Sequence, residues 1–168
     1  MVNRKFRILF VCTGNTCRSP MAEGILKKML KEGNIDQIQV SSAGTNSWGG
    51  CPASLSALET GASAGIDLKA HLSRKINRKM LEEVDLVLVM SGDHLDHIKE
   101  LNENLMKKTF LLKAFPQRSD EKSFWIKDPV GGTRDDYRRC FHDLNESIKR
   151  ILPELIGSAQ KKVQTSSK

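Results

Sequence analysis

No stretch of this sequence approaches the run of about 18 apolar residues that a membrane-spanning helix requires, so no such span is expected. The start, Met1 to Lys5, is positively charged, but the apolar run behind it, Phe6 to Cys12, is short and interrupted by Arg7. It also lacks a small-residue cleavage pattern, so a secretion signal is not expected and the cytoplasm is the default location. The four cysteines, Cys12, Cys17, Cys51 and Cys140, form no C-x-x-C pair, which argues against zinc. A disulfide framework would be out of place without a secretion signal. There is no zinc-finger spacing and no interleaving of aromatic with basic residues of the kind RNA-binding sheets use. Internal repeats and linkers are missing too.

What is present is an ordinary soluble composition, 39% hydrophobic and 28% charged, in 168 residues that suit one domain. We expect that domain to span residues 1–157, followed by a basic, frayed tail over 158–168. Lys and Arg number 27 against 20 Asp and Glu, a net charge of +7. Such an excess suits a phosphorylated substrate, an acidic membrane or a nucleic acid. The basic residues are spread along the chain, so a solvated basic surface is favoured over a nucleic-acid footprint, and neither nucleic acid nor membrane is an expected partner.

Strand-like and helix-like segments alternate. Arg7–Val11 reads as a buried strand. It enters the turn-forming Thr13-Gly14-Asn15-Thr16, and Ser19-Pro20 then predicts a helix with Ser19 as N-cap. That helix carries Met21, Ile25, Leu26, Met29 and Leu30 at helical spacing and ends near Gly33. Ile38–Val40 is a second strand, followed by a Ser- and Gly-rich loop over 41–52. Helical pieces follow at 53–64 and 80–84, then a central parallel strand at 85–90. A helix over 93–101 and a fourth strand over 109–112 come next. Residues 115–133 read as an ordered functional loop. The last helix starts at Asp135, with Pro153 expected to kink or end it. The pattern predicts a doubly wound α/β fold with a parallel sheet.

In such a sheet, ligands bind beyond the carboxyl ends of strands. Cys12 to Ser19 occupies that place, where loop amides and a helix N-terminus form an anion cradle. It matches neither the G-x-x-x-x-G-K nor the G-x-G-x-x-G nucleotide pattern. Cys12 and Arg18 are instead separated by five residues, which lets the loop wrap a tetrahedral oxyanion. A thiol facing amides, a helix end and a guanidinium is favoured as the thiolate a nucleophile must be. Arg18 offers the fork that phosphate oxygens accept. Ser19 is placed to stabilise the leaving thiolate. Read alone, Cys12 would be a buried strand-end cysteine.

Val11-Cys12-Thr13-Gly14-Asn15-Thr16-Cys17-Arg18-Ser19-Pro20-Met21-Ala22-Glu23 resembles the signature of the low-molecular-weight protein-tyrosine-phosphatase family. Ser42-Ala43-Gly44-Thr45, Trp48, His71 and Asp128-Pro129 follow in the family's order, so the resemblance covers almost the whole chain. It implies a four-stranded parallel twisted sheet with helices on both faces, and a phosphatase acting through a cysteinyl-phosphate without metal or organic cofactor. By the same resemblance Asp128 protonates the leaving group and then activates water. From the residues alone, Asp120, Asp135 and Asp136 are rivals for that acid. The resemblance also implies that Asn15, Ser42 and His71 hold the loop in a strained shape. His71 would otherwise be a surface histidine, as His94, His97 and His142 are expected to be. For Cys17 two readings stand: a reversible disulfide with Cys12, implied by the resemblance, or a small loop filler. Cys51 and Cys140 read as structural.

The sequence departs from the tyrosine-specific pattern in two places. Val130-Gly131-Gly132 follows Asp128-Pro129 where an aromatic wall is usual, leaving Trp48 and Val130 to border the substrate. Thr16 stands where Ile is common and resembles the protein-arginine-phosphatase branch. Phosphoarginine is therefore the expected substrate side chain, with phosphotyrosine the alternative. Arsenate reductase is a more distant rival, because no further cysteine falls in 81–96 to relay electrons. A phosphate-binding module without turnover would be expected to have lost Cys12, Arg18 or Asp128, all of which remain.

Overall fold

A computed structural model describes residues 5–165. Four strands form one parallel sheet: β1 (Phe6–Cys12), β2 (Ile38–Gly44), β3 (Leu86–Val89) and β4 (Thr109–Leu111), in the spatial order β2-β1-β3-β4. Five α-helices connect and flank them: α1 (Arg18–Glu32), α2 (Leu55–Ser63), α3 (Arg78–Glu83), α4 (Gly92–Leu101) and α5 (Arg134–Thr165), with short 3₁₀ turns at Glu103–Lys108 before β4 and Lys122–Phe124 after it.

Side chains alternate across the sheet as a strand's period of two demands. On β1, Ile8, Phe10 and Cys12 face one core, shared with Met21 and Ile25 of α1 and with Leu144 and Ile148 of α5. Leu9 and Val11 face the other, with Leu81 of α3 and Leu95 and Ile98 of α4. Both faces of β1 are thus covered from Ile8 onward, which is why Ile8–Cys12 is a continuous apolar run. The expected doubly wound α/β sheet is the one observed.

Three local expectations differ from the structure. β2 continues through Ser41-Ser42-Ala43-Gly44, read from sequence as loop, because that stretch pairs in register with Leu9-Phe10-Val11-Cys12. Its polar Ser42 is buried and hydrogen-bonded, so a serine there does not end the strand. At α1 the N-cap is Cys17 rather than Ser19, because the Ser19 hydroxyl is committed to neighbours in the preceding loop. Finally, of the two outcomes expected at Pro153, a kink or an end, the helix does not end: α5 runs through Pro153 to Thr165, and the stretch after Gly157 that was expected to fray is helical as far as Thr165. An interior proline costs about 3 kcal/mol. Ile151, Leu155 and Ala159 bury fully on either side of it, and a buried Ile or Leu contributes about 1.5–3 kcal/mol. Lys162 then pairs with Asp85 at the start of β3. Packing outweighs the missing amide; residues 166–168 lie outside the described part.

Candidate active site

Past the end of β1 the chain turns through Thr13–Cys17 into α1, and its backbone carbonyls point outward to anchors. Cys12 O accepts from Thr45 N at 2.9 Å, Thr13 O from Asn46 N at 2.9 Å and Thr16 O from Ser54 N at 2.9 Å. Asn15 O lies 2.7 Å from His71 Nε2. With the carbonyls held from outside, the amides of Gly14, Asn15, Thr16 and Cys17 donate to no group among the described residues. They lie at the positive end of a 15-residue helix, the setting that attracts an anion. Gly44 lets β2 lie against this loop: a Cβ there would sit 2.4 Å from Thr13 O and 3.0 Å from Asn15 N.

Asn15 is the residue about which the loop turns. It adopts φ of 57°, a left-handed conformation that non-glycine residues take at a cost. Its side chain, fully buried, repays that cost with hydrogen bonds. Oδ1 accepts from Arg74 N at 2.9 Å, which settles the amide's orientation. Nδ2 donates to Ser42 Oγ at 2.9 Å and to Ser19 Oγ at 2.8 Å. Ser42 in turn donates to Glu23 Oε2 at 2.6 Å. These directions leave the Ser19 hydrogen for Cys12 Sγ, 2.9 Å away; its other neighbour, Ala43 O, lies at 3.5 Å, too long to compete. Cys12, 2% exposed, therefore receives a directed hydrogen bond at sulfur.

Arg18 is almost fully buried. Its Nη1 donates to Ile126 O at 3.2 Å, and its Nη2 to Thr13 Oγ1 at 3.3 Å and to Asp128 Oδ2 at 2.7 Å. Of the four aspartates open from sequence, Asp128 is the one brought to this arginine. Its side chain is 44% exposed, and its Oδ1 accepts from Val130 N at 3.2 Å. Asp136 instead caps α5, where the Thr133 amide and Arg139 hold its carboxyl well below the usual range. Asp135 pairs with Arg138 at 3.2 Å, and Asp120 lies beside Arg118 and Phe110 near β4.

The remaining predicted residues differ widely in burial. Thr16 is half-buried, with its hydroxyl over Gly14. Trp48 is 96% exposed and Val130 65% exposed. Trp48 follows the Asn46 anchor by two residues and Val130 follows Asp128 by two. Cys17 is buried with its sulfur 3.1 Å from Ser54 Oγ and 3.3 Å from Tyr137 OH, and all four cysteines are free thiols. Burial pushes the Tyr137 hydroxyl up, and burial pushes the Cys140 thiol up to about 12, so Cys140 stays protonated.

The sequence reading missed several participants. Ser54, Arg74 and Tyr137 touch the loop from 37 to 120 residues away, and nothing local marks them. His94, expected at the surface, is only 2% exposed. Its Nδ1 accepts from Ser91 N at 3.2 Å and its Nε2 lies 3.0 Å from Thr13 Oγ1. Burial, then the nearby Arg18, lowers its pKa from 6.5 to about 3, so it is neutral. In α4 it is buried together with its neighbour Leu95 and with Ile98 one turn on.

Known proteins share both this fold and this sequence. A protein-arginine-phosphatase of Geobacillus stearothermophilus is 37% identical over 89% of this chain and 96% of its own length. The low molecular weight protein-tyrosine-phosphatase Etp of Escherichia coli is 33% identical over 92% of this chain and 99% of its own. A solved structure of YwlE arginine phosphatase, a cysteine-to-serine variant with a phosphorylated active-site serine, superposes with a TM-score of 0.80 at 32% identity, covering 89% of this chain and 95% of that one. The family model for low molecular weight phosphotyrosine protein phosphatase matches residues 7–165. The anion cradle between β1 and α1 thus stands in an enzyme whose sequence and fold agree, and the chain belongs to the low molecular weight phosphotyrosine protein phosphatase family.

Proposed function

We propose that this phosphatase works through a phosphocysteine on Cys12 and prefers phosphoarginine to phosphotyrosine in its protein substrates. The observation that carries the mechanism is the opposed pair of contacts, Ser19 donating to Cys12 sulfur and Arg18 meeting Asp128. The phosphoryl oxygens take the loop amides and the Arg18 fork, displacing Asp128 toward the leaving atom. Asp128, once it has left Arg18, takes up a proton from solvent; the Cys12 thiolate attacks phosphorus, the bond to the side-chain nitrogen or oxygen breaks, and Asp128 passes that proton to the departing atom. Asp128, now a carboxylate, takes a proton from water as that water attacks phosphorus. Inorganic phosphate leaves, and the Cys12 thiolate is recovered with the Ser19 hydrogen bond supporting it.

Thr16 and Val130-Gly131-Gly132 support the phosphoarginine preference. A small polar residue on the loop and an open, ring-free rim suit a planar guanidinium on a flexible stem better than a phenyl ring. The 37% identical relative is named a protein-arginine-phosphatase, which is consistent with this preference. The exposed face of Trp48 favours the second reading, phosphotyrosine, since it offers a ring to stack on. We place the activity in the cytoplasm, where a nucleophilic thiol stays reduced; no helix among the described residues is long and apolar enough to cross a membrane. The test is phosphate release from matched phosphoarginine and phosphotyrosine peptides, with Cys12→Ser as the blank. Faster release from phosphoarginine, lost in the blank, is expected. Faster release from phosphotyrosine overturns the preference, and release that survives in Cys12→Ser overturns the mechanism.

A further inference from the structure

His94 takes no step in the chemistry above, yet it is buried beside it and its hydrogen bonds have only one consistent direction. The Ser91 amide is a donor and points at Nδ1. Nδ1 is therefore the acceptor nitrogen, and in a neutral ring the proton sits on Nε2. The Ser91 hydroxyl, 3.1 Å from the same nitrogen, agrees with that tautomer. Nε2–H then donates to Thr13 Oγ1 at 3.0 Å. The same oxygen accepts from Arg18 Nη2 at 3.3 Å. Thr13 thus links α4 to Arg18, across 81 residues of chain on one side and five on the other.

The link matters because Arg18 Nη2 has two acceptors with different duties. Asp128 is half-exposed, and in the proposed mechanism it leaves Arg18 to reach the substrate. Thr13 Oγ1 and Ile126 O are the acceptors that remain. A threonine hydroxyl in a loop is free to rotate unless something fixes it, and the ring of His94 is what meets it.

We infer that His94 is a positioning residue that orients Arg18 through Thr13, acting as a hydrogen-bond donor from Nε2 while Ser91 locks its tautomer. The inference rests on the phosphate-cradle reading of the Cys12–Ser19 loop. It separates two jobs that a merely structural histidine would combine: capping α4 through Nδ1, and holding Thr13 through Nε2.

Two substitutions divide those jobs. His94→Asn keeps an acceptor close to the Nδ1 position and removes the donor. His94→Gln reaches the Nε2 position with an amide N–H and removes the Nδ1 acceptor. The probe is inorganic phosphate, its Kd measured by NMR titration, with kcat/KM on p-nitrophenyl phosphate alongside. Loss of one hydrogen bond near the anion predicts a Kd about tenfold weaker in His94→Asn, with His94→Gln within about threefold of the wild type. Thr13→Val should show the same loss, and the His94→Asn, Thr13→Val double variant should be no weaker than Thr13→Val alone. A Kd within twofold of the wild type in His94→Asn, an equal loss in His94→Gln, or additive losses in the double variant would overturn the proposal. Should His94→Asn fail to fold, nitrogen chemical shifts of the wild-type ring decide: a proton on Nδ1 overturns it and a proton on Nε2 supports it. If the wild type turns over no phosphate ester at all, the phosphatase reading falls, while the phosphate Kd series still decides the role of His94.

Discussion

The two halves of the site are built in opposite ways. The side of the proposed nucleophile, Cys12 to Ser19, is tied down: its carbonyls are held by three other segments, around Thr45-Asn46, Ser54 and His71, and the buried Asn15 side chain is bonded to Ser19, Ser42 and Arg74. The acid's side, Asp128 to Gly132, is exposed; Gly131 turns at φ of 76° with nothing within 4 Å of where its side chain would be, and Asp128 meets the rest of the protein chiefly at Arg18. A cradle that must hold one geometry through bond making and bond breaking gains from being fixed in advance, since no reorganisation is then needed during the reaction. In the proposed mechanism the carboxylate first protonates a leaving group and then deprotonates a water, which calls for the freedom the cradle lacks. The same protein satisfies both demands by placing one on a strand-to-helix turn between two cores and the other on a surface loop.

The contrast can be broken or sharpened by substitution. The largest effect is expected from Cys12→Ser, which keeps the cradle and removes the nucleophile: turnover should fall by about 10⁴-fold or more while phosphate still binds, as measured by single-turnover kinetics and titration. On the mobile side, Asp128→Asn should lower kcat by about 10²–10⁴-fold and at the same time tighten phosphate, because a carboxylate no longer competes for Arg18. Weaker phosphate binding in that variant would mean the ion pair is not a competitor. On the rigid side, Asn15→Ala should cost about 1–2 kcal/mol in backbone strain plus its hydrogen bonds, with kcat/KM and urea stability falling together; a variant that loses neither would show the strained turn is not held by this side chain. The smallest effect is a pH dependence of stability. His94 titrates at about 3 when folded and near 6.5 when unfolded, so between those values the unfolded chain binds the extra proton. Its contribution is complete above about pH 6.5 and is lost as the pH falls toward 3, by at most about 1.4 kcal/mol per pH unit. Urea melts at pH 7 and pH 5 should differ, and by less in His94→Gln.

How much of this was legible beforehand follows the range of the interactions. The apolar run of β1 and the helical spacing of α1 and α4 are local patterns, and together they pointed to the α/β fold with a parallel sheet that is observed. The polar half of β2 was not legible, because Ser42 counts as a loop former until its buried partners Asn15 and Glu23 are known. The length of α5 was not legible either, since what offsets Pro153 is contact with helices and strands far away in sequence. Among site residues, Cys12, Arg18 and Ser19 could be singled out from spacing, while the loop-holding role of Asn15 came only with the family resemblance. Asp128 could be chosen over Asp120, Asp135 and Asp136 only through a family resemblance, because the pairing with Arg18 spans 110 residues. His94 was misplaced for the same reason: a histidine on an amphipathic helix looks solvent-facing until the loop that covers it is in view.

By itself, then, the sequence determined the alternation of strand and helix, the anion-binding turn and the six-residue step from Cys12 to Arg18, because each depends on residues close enough to constrain one another through local backbone geometry. Only the tertiary structure decided which carboxylate meets Arg18, which way the Ser19 hydrogen points, and that His94 lies beneath Thr13. Those are settled by burial: once water is excluded, every polar atom must find a partner, and the partners available are those that the folded sheet brings within about 3 Å.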